Sequence, residues 1–371
     1  LDVEQMAEPN AVHLAQAKCY AFIFATQHAL PGIGVQMTYC NLDTEEIRRF
    51  QMHYSYDEIE DWFLGLIASY KKWSDFLFHH KMIRQQSVRG LEFPYDYRQG
   101  QKKLVTDVYR SIMREKILFL QAPTGTGKTL ATIFPAIQAM GQNMGDKIFY
   151  LTAKNATGVV AHDTFLLMEE QGYEGKTVVI TAKDKMCLLE ERSCNPDDCP
   201  YAKGHFDRVN DAVYDILQEE NMMDRDCILR WAKERRVCPF EYSLDIASWV
   251  DHIICDYNYV FDPNVCLKRF FAEGIRGDYL FLVDEAHNLV ERARDMYSET
   301  LVKEDFLVMK KKLKIYGKKL ENTLERCNKE MLVLKRQCER MLVLEEMDAF
   351  LFALFRAAAA MDELLQKEGN I

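Results

Sequence analysis

The stretch Gln121-Ala-Pro-Thr-Gly-Thr-Gly-Lys-Thr129 constrains this chain more than any other. The apolar run Ile117-Leu-Phe-Leu120 ahead of it reads as a buried strand, and Leu130 onward reads as a helix. A glycine-rich turn between a strand and a helix is the setting of a phosphate-binding loop. Gly125 and Gly127 let the backbone turn tightly enough for successive N–H groups to point at one centre, where the helix N-terminus adds its positive field. Ala122, Pro123, Thr124, Gly125, Thr126 and Gly127 therefore form the expected cradle, Lys128 reaches the outer phosphates of a nucleotide such as ATP, and Thr129 ligates Mg²⁺. Ala122 stands where the general pattern has its first glycine, which leaves the cradle intact.

After the loop the chain alternates helical segments with short apolar runs at Lys147–Thr152, Thr177–Thr181, His252–Cys255 and Tyr279–Val283. That alternation predicts an α/β fold, a RecA-like parallel sheet covered on both faces by helices. Asp284-Glu-Ala-His287 ends the last of these strands, which puts two carboxylates at the carboxyl edge of the sheet beside the loop. Asp284 is the expected Mg²⁺ partner and Glu285 the group that orients and deprotonates an attacking water.

Between Thr181 and His252 lies a long charged insertion that holds Cys227 and four further cysteines at 187, 194, 199 and 238, these four separated by six, four and thirty-eight residues. Structural zinc sites draw on two close pairs, and this spacing supplies at best one loose pair. The Cys199-Pro200 and Cys238-Pro239 dipeptides and the count of four thiolates suit a 4Fe-4S cluster. Cys187, Cys194, Cys199 and Cys238 are thus the expected iron–sulfur ligands. Cys227, Cys255 and Cys266 are read as structural, with Cys227 the substitute ligand.

Phosphate loop, four-cysteine insertion, Trp249-Val-Asp-His-Ile-Ile-Cys-Asp-Tyr-Asn-Tyr-Val-Phe-Asp-Pro263 and Asp-Glu-Ala-His, in this order, resemble the XPD/DinG family of superfamily 2 DNA helicases over roughly residues 94–301. The resemblance implies ATP-driven 5′-to-3′ translocation on single-stranded DNA, with duplex/single-strand junctions as substrates and the cluster domain helping to split the duplex. It also implies that Arg98 and Gln101 hold the adenine, that Lys154 and Thr157 hold strand phosphates, and that His287 relays nucleotide state toward the DNA. Gln16-Ala-Lys-Cys-Tyr20 resembles the Gln-x-x-x-Tyr element of RecB-type nucleases, whose carboxylates are absent here, and this points to the bacterial DinG-like branch.

These features divide the chain into a nuclease-like remnant at 1–50, a helical connector at 51–93, motor lobe segments at 94–182 and 241–300, the Fe-S domain at 183–240, and a partial helical arch domain at 301–371. The connector reads as charged, aromatic-rich helix over Thr44–Phe50 and Tyr56–Arg84, with Trp62, Phe63, Leu66, Tyr70, Trp73 and Leu77 as a packing stripe. In the last segment Leu324, Cys327, Met331, Leu334, Cys338 and Met341 recur at heptad intervals, and residues 303–340 carry twelve Lys or Arg against six Asp or Glu.

A net charge of -10 argues against coating nucleic acid through bulk charge but leaves room for a local basic groove. No apolar run is long enough for a membrane span, and eleven cysteines without secretory features suit a cytoplasmic, monomeric protein. The chain begins at Leu1 and holds one motor lobe, so it reads as a fragment. A helicase motor places ATP between two lobes and takes a transition-state arginine from the second, so this piece is expected to bind nucleotide without turning it over. The alternative is a nucleotide-binding redox-sensing or zinc-containing scaffold that does not unwind DNA.

Overall fold

The computed structural model describes residues 3, 6–42, 44–123, 125–153 and 155–368. Of the residues singled out above, Thr124 and Lys154 lie outside this set, as does the side chain of Thr157. The chain divides into two compact units, Leu1–Val290 and Glu291–Ile371.

The first unit opens with α1 (Ala11–Gln27), the antiparallel pair β1 (Gly32–Cys40) and β2 (Ile47–Ser55), and the long α2 (Tyr56–Arg89). Asn10 caps α1 and a Ser55–Glu58 capping box starts α2, each satisfying N–H groups that a helix start leaves orphaned. Of the expected helix over Thr44–Phe50, Ile47–Phe50 is instead part of β2. Its residues alternate between exposed and half-buried in register with β1, and this non-local pairing overrides the local helical pattern. The stripe on α2 is also only partly buried. Phe63 stacks on Phe22 and Trp73 on Trp249, whereas Leu66, Tyr70 and Leu77 are exposed. Residues 64–71 face solvent all round, because the helix packs near its two ends and its middle bridges between them.

The motor lobe follows with α3 (Gln101–Met113), α4 (Lys128–Gly141), β3 (Lys147–Thr152), α5 (Asn155–Glu170) and β4 (Thr177–Val179). The insertion supplies α6 (Lys183–Met186), α7 (His205–Glu219), β5 (Met222–Met223), α8 (Arg225–Arg235) and α9 (Pro239–Ala247). The chain then returns through β6 (His252–Asp256), α10 (Asn258–Phe261), α11 (Lys268–Phe271), β7 (Tyr279–Val283) and α12 (Leu289–Met296). The five strands form one parallel sheet in the order β5-β4-β6-β3-β7. Every residue of β3 is buried, as a central parallel strand requires. Ile133, Ile137 and Met140 of α4 meet Ile148, Tyr150, Phe165, Met168 and Ile254 in the core.

One expected strand is missing from that sheet. Ile117–Leu120 makes no ladder pairing, and Ile117 and Phe119 are 87% and 90% exposed. An apolar run marks a preference for pleated, buried surroundings, but a strand exists only where a neighbour offers matching N–H and C=O groups. Here β7 is an edge strand bonded to β3 alone, and the run does not join it.

At the opposite, amino ends of the strands sits a buried polar network. Asp251 accepts hydrogen bonds from the Lys176 backbone N–H (2.8 Å) and from Arg84, and pairs with His80 Nε2 at 2.6 Å, which ties α2 to the lobe. His252 lies between the Tyr173 hydroxyl (2.9 Å) and Thr177 Oγ1 (3.0 Å), stacked on Phe165. Lys147 Nζ donates to the carbonyls of Ala247 (3.1 Å) and Val250.

The second unit packs α13 (Lys303–Leu313), α14 (Lys318–Gln337) and α15 (Asp348–Glu368) around Phe306, Leu320, Leu324, Cys327, Phe350, Ala353 and Ala357. The heptad seam is shorter than expected. α14 ends at Gln337 and Met341 is exposed, because the partner surface of α13 and α15 covers the seam only as far as Met331.

Candidate nucleotide site and cysteine cavity

The loop ahead of α4 has the backbone that its glycines allow. Gly125 and Gly127 both adopt left-handed conformations, at φ 78° and 74°. A Cβ at Gly127 would also lie 2.6 Å from Gln101 Nε2, so that amide would have to shift. That amide donates to the carbonyls of Thr126 (3.3 Å) and Gly127 (3.5 Å), while Gln101 Oε1 accepts from the Arg98 backbone N–H at 3.0 Å. The Arg98 guanidinium donates to the Gly125 carbonyl, and Thr126 Oγ1 donates to the Pro123 carbonyl at 2.8 Å. Arg98 and Gln101, expected at an adenine, thus stand on the back of the phosphate loop and point its carbonyls away, which leaves its N–H groups free to face an anion.

The acid end of β7 meets this loop. Lys128 Nζ lies 3.5 Å from Glu285 Oε1, and Glu285 Oε2 lies 3.3 Å from His287 Nδ1. Tyr150, buried in the middle of β3, lies near Thr129 and the Asp284 carboxylate, the two groups expected to share Mg²⁺. Burial raises the Asp284 pKa above the usual carboxylate range, and the neighbouring Glu285 charge adds to it. A divalent cation is the natural counter-charge for such a corner. Behind it the Tyr257 hydroxyl donates to the backbone carbonyls of Asp284 and Glu285, the latter at 3.1 Å. Sequence reasoning missed both tyrosines: Tyr150 lies in an apolar run that marks it only as core, and nothing around Tyr257 points to a role at the acid pair.

Cys187, Cys194, Cys199 and Cys238 all line one cavity of about 360 Å³. Cys187 ends α6 and Cys238 caps α9, so the insertion brings the distant fourth thiol back to the first three. Cys199 is buried, Cys194 exposed and the other two half-buried. His205 Nδ1 accepts the Cys238 backbone N–H at 3.2 Å, and burial raises the Cys238 thiol pKa. Among the described residues no three His, Cys, Asp or Glu side chains converge closely enough to hold a single ion. Cys227 is not among the residues lining the cavity; it sits on α8 beside Arg230, its thiol pushed up to about 11 by burial.

A left-handed glycine loop opening α4, an acid pair at the carboxyl end of a parallel strand and an inserted cavity define a RecA-like phosphate-loop lobe. Residues 98–188 match the DEAD/DEAH box helicase family and residues 173–306 match the DEAD_2 family. The regulator of telomere elongation helicase 1 homolog of Oryza sativa subsp. japonica is 23% identical over 271 residues, which cover 58% of this chain and 26% of that protein. The ATP-dependent DNA helicase XPD of Sulfolobus acidocaldarius is 22% identical over 193 residues, covering 52% of this chain and 33% of that protein. A solved structure of truncated XPD aligns with a TM-score of 0.45 at 17% identity, covering 73% of this chain and 78% of that one. Over residues 98–306 the chain is similar to XPD-like superfamily 2 helicases. The matches span about a quarter to a third of the length of these two curated relatives. No helix among the described residues is long and apolar enough to cross a membrane.

Proposed function

We propose that the chain is the nucleotide-binding lobe and cluster module of an ATP-dependent DNA helicase that moves 5′-to-3′ on single-stranded DNA and opens junctions. The observation that carries this reading is the meeting of Lys128 and Glu285 at 3.5 Å, within the residues that match helicase families. In this reading the loop N–H groups and Lys128 hold the phosphates, Thr129 and Asp284 hold Mg²⁺, and Glu285 positions and deprotonates water. Mg²⁺ supplies charge neutralisation at the phosphates. The pairing of the otherwise exposed His287 with Glu285 supports its role as the relay of nucleotide state. The direction of travel and the junction preference come from the family resemblance. The α1–β1–β2 module ahead of the motor, with Gln16 and Tyr20 exposed one turn apart, supports the DinG-like branch. All eleven cysteines are free, which suits a cytoplasmic setting.

The described parallel sheet forms one RecA-like lobe, and a helicase motor takes its transition-state arginine from a second. The 371-residue chain is therefore expected to bind Mg²⁺-ATP and to hydrolyse it at background rate with or without single-stranded DNA. Robust DNA-stimulated turnover would overturn the one-lobe reading, and absence of nucleotide binding would overturn the motor reading altogether.

The donor set of the cavity, four cysteines along its lining, supports a 4Fe-4S cluster. Cys187, Cys194, Cys199 and Cys238 would hold it, and the bound cluster would cross-link residues 187–238. Anaerobically purified chain is expected to be coloured and to carry about four iron atoms. Cys199→Ser is expected to lose the visible band. A colourless protein with stoichiometric zinc would establish the scaffold alternative instead.

A further inference from the structure

We infer that Tyr257 is a positioning residue whose hydroxyl holds the Asp284–Glu285 turn in a left-handed conformation, so that both carboxylates serve the phosphate loop; this rests on the nucleotide reading above. Along a strand, successive side chains point to opposite faces. Had β7 simply continued, Asp284 and Glu285 would diverge, one toward the loop and one away. Glu285 instead adopts φ 49° and ψ 44°, the left-handed region, which breaks the alternation and brings its carboxylate to Lys128. A non-glycine residue persists there only when its surroundings over-determine it.

The surroundings are three donors on one atom. The Glu285 carbonyl accepts from the Tyr257 hydroxyl at 3.1 Å, the Asn288 backbone N–H at 2.9 Å and the Asn288 side-chain amide at 3.1 Å. The same Tyr257 hydroxyl reaches the Asp284 carbonyl. Tyr257 is itself immobilised, fully buried at the end of β6 with its backbone N–H donating to the Thr152 carbonyl of β3 at 3.2 Å. It therefore fixes the turn after β7 against two neighbouring strands. Packing alone does not account for a phenol here, since the ring would be buried equally well without its oxygen.

The test measures binding of a fluorescent ATP analogue by the 371-residue chain, with Mg²⁺ and with EDTA. Tyr257→Phe is expected to cut the Mg²⁺-dependent gain in affinity about tenfold, the loss of one buried hydrogen bond, while the EDTA affinity stays within twofold. Asn288→Ala, which removes another donor to the same carbonyl without opening the core, is expected to act in the same direction. The second readout is thermal. The Tm change produced by Glu285→Gly is expected to be more stabilising, by about 2 °C or more, when the Tyr257 hydroxyl is present than in the Tyr257→Phe background. Lys128→Ala separates the two levels of the argument. If it binds nucleotide as the parent chain does, the nucleotide reading fails. If it loses binding while Tyr257→Phe and Asn288→Ala keep the full Mg²⁺ gain and the Tm changes are additive, the positioning role fails alone.

Discussion

Lys128→Ala is expected to weaken Mg²⁺-nucleotide binding by the 371-residue chain at least about 100-fold, roughly 2.7 kcal/mol. Lys128 opens α4 directly after the left-handed Gly127, so its ammonium shares the anion site with the loop N–H groups and the helix N-terminus. Charge-assisted hydrogen bonds to phosphate are worth about 1.5–3 kcal/mol each, and the alanine removes them while the backbone cradle remains. Fold stability should hardly move, because the Lys128–Glu285 pair is partly exposed and such pairs contribute about 1 kcal/mol or less. Titration calorimetry alongside a thermal melt checks both halves. A loss below about threefold would mean that the loop does not cradle phosphate, and with it the proposed motor would go.

Asp251→Ala is expected to destabilise the first unit by about 3–5 kcal/mol, because it strands a buried guanidinium and a backbone N–H that the carboxylate now satisfies. The same network predicts acid sensitivity. Hydrogen bonding and charge from His80 and the Arg84 guanidinium hold the Asp251 carboxyl far below its usual range despite a burial cost, so its stabilisation is present above about pH 4 and is lost as pH falls through the depressed value. Burial lowers the His252 imidazole to about 3 from an ordinary 6.5. Between those values the unfolded chain binds the extra proton, so stability falls as pH drops from 6.5 toward 3, by about 1.4 kcal/mol per pH unit. All four tryptophans lie in the first unit, and Trp73 stacks on Trp249 beside this network, so fluorescence-detected urea unfolding reports the right region. His252→Gln should flatten the profile between pH 6.5 and 4.5. A parent chain whose midpoint is constant over that range would show that the network is not held as described.

Burial also lowers the Lys147 ammonium to about 8, at the start of the strand that carries Tyr150. The polar amino end of the sheet and the carboxyl end that holds the acid pair are joined by six-residue β3. One end ties α2 to the lobe through Asp251. The other end places Tyr150 near Thr129 and Asp284.

The sequence alone carried the phosphate loop, the acid pair and the parallel class of the sheet, because each depends on local rules. Glycine permits a left-handed turn, short apolar runs mark buried strands, and carboxylates after a strand end up at its carboxyl edge. It also named four cysteines that line one cavity, although thirty-eight residues separate the fourth from the third. Tertiary structure decided the rest. It took Ile117–Leu120 out of the ladder, turned Ile47–Phe50 into a strand, and ended the helical seam at Gln337. It placed Arg98 and Gln101 on the loop's carbonyls, and it chose Tyr150 and Tyr257, out of eighteen tyrosines, to brace the acid corner. Strand pairing and hydrogen bonding join groups far apart in the chain, and no pattern along one segment encodes which distant partner will arrive.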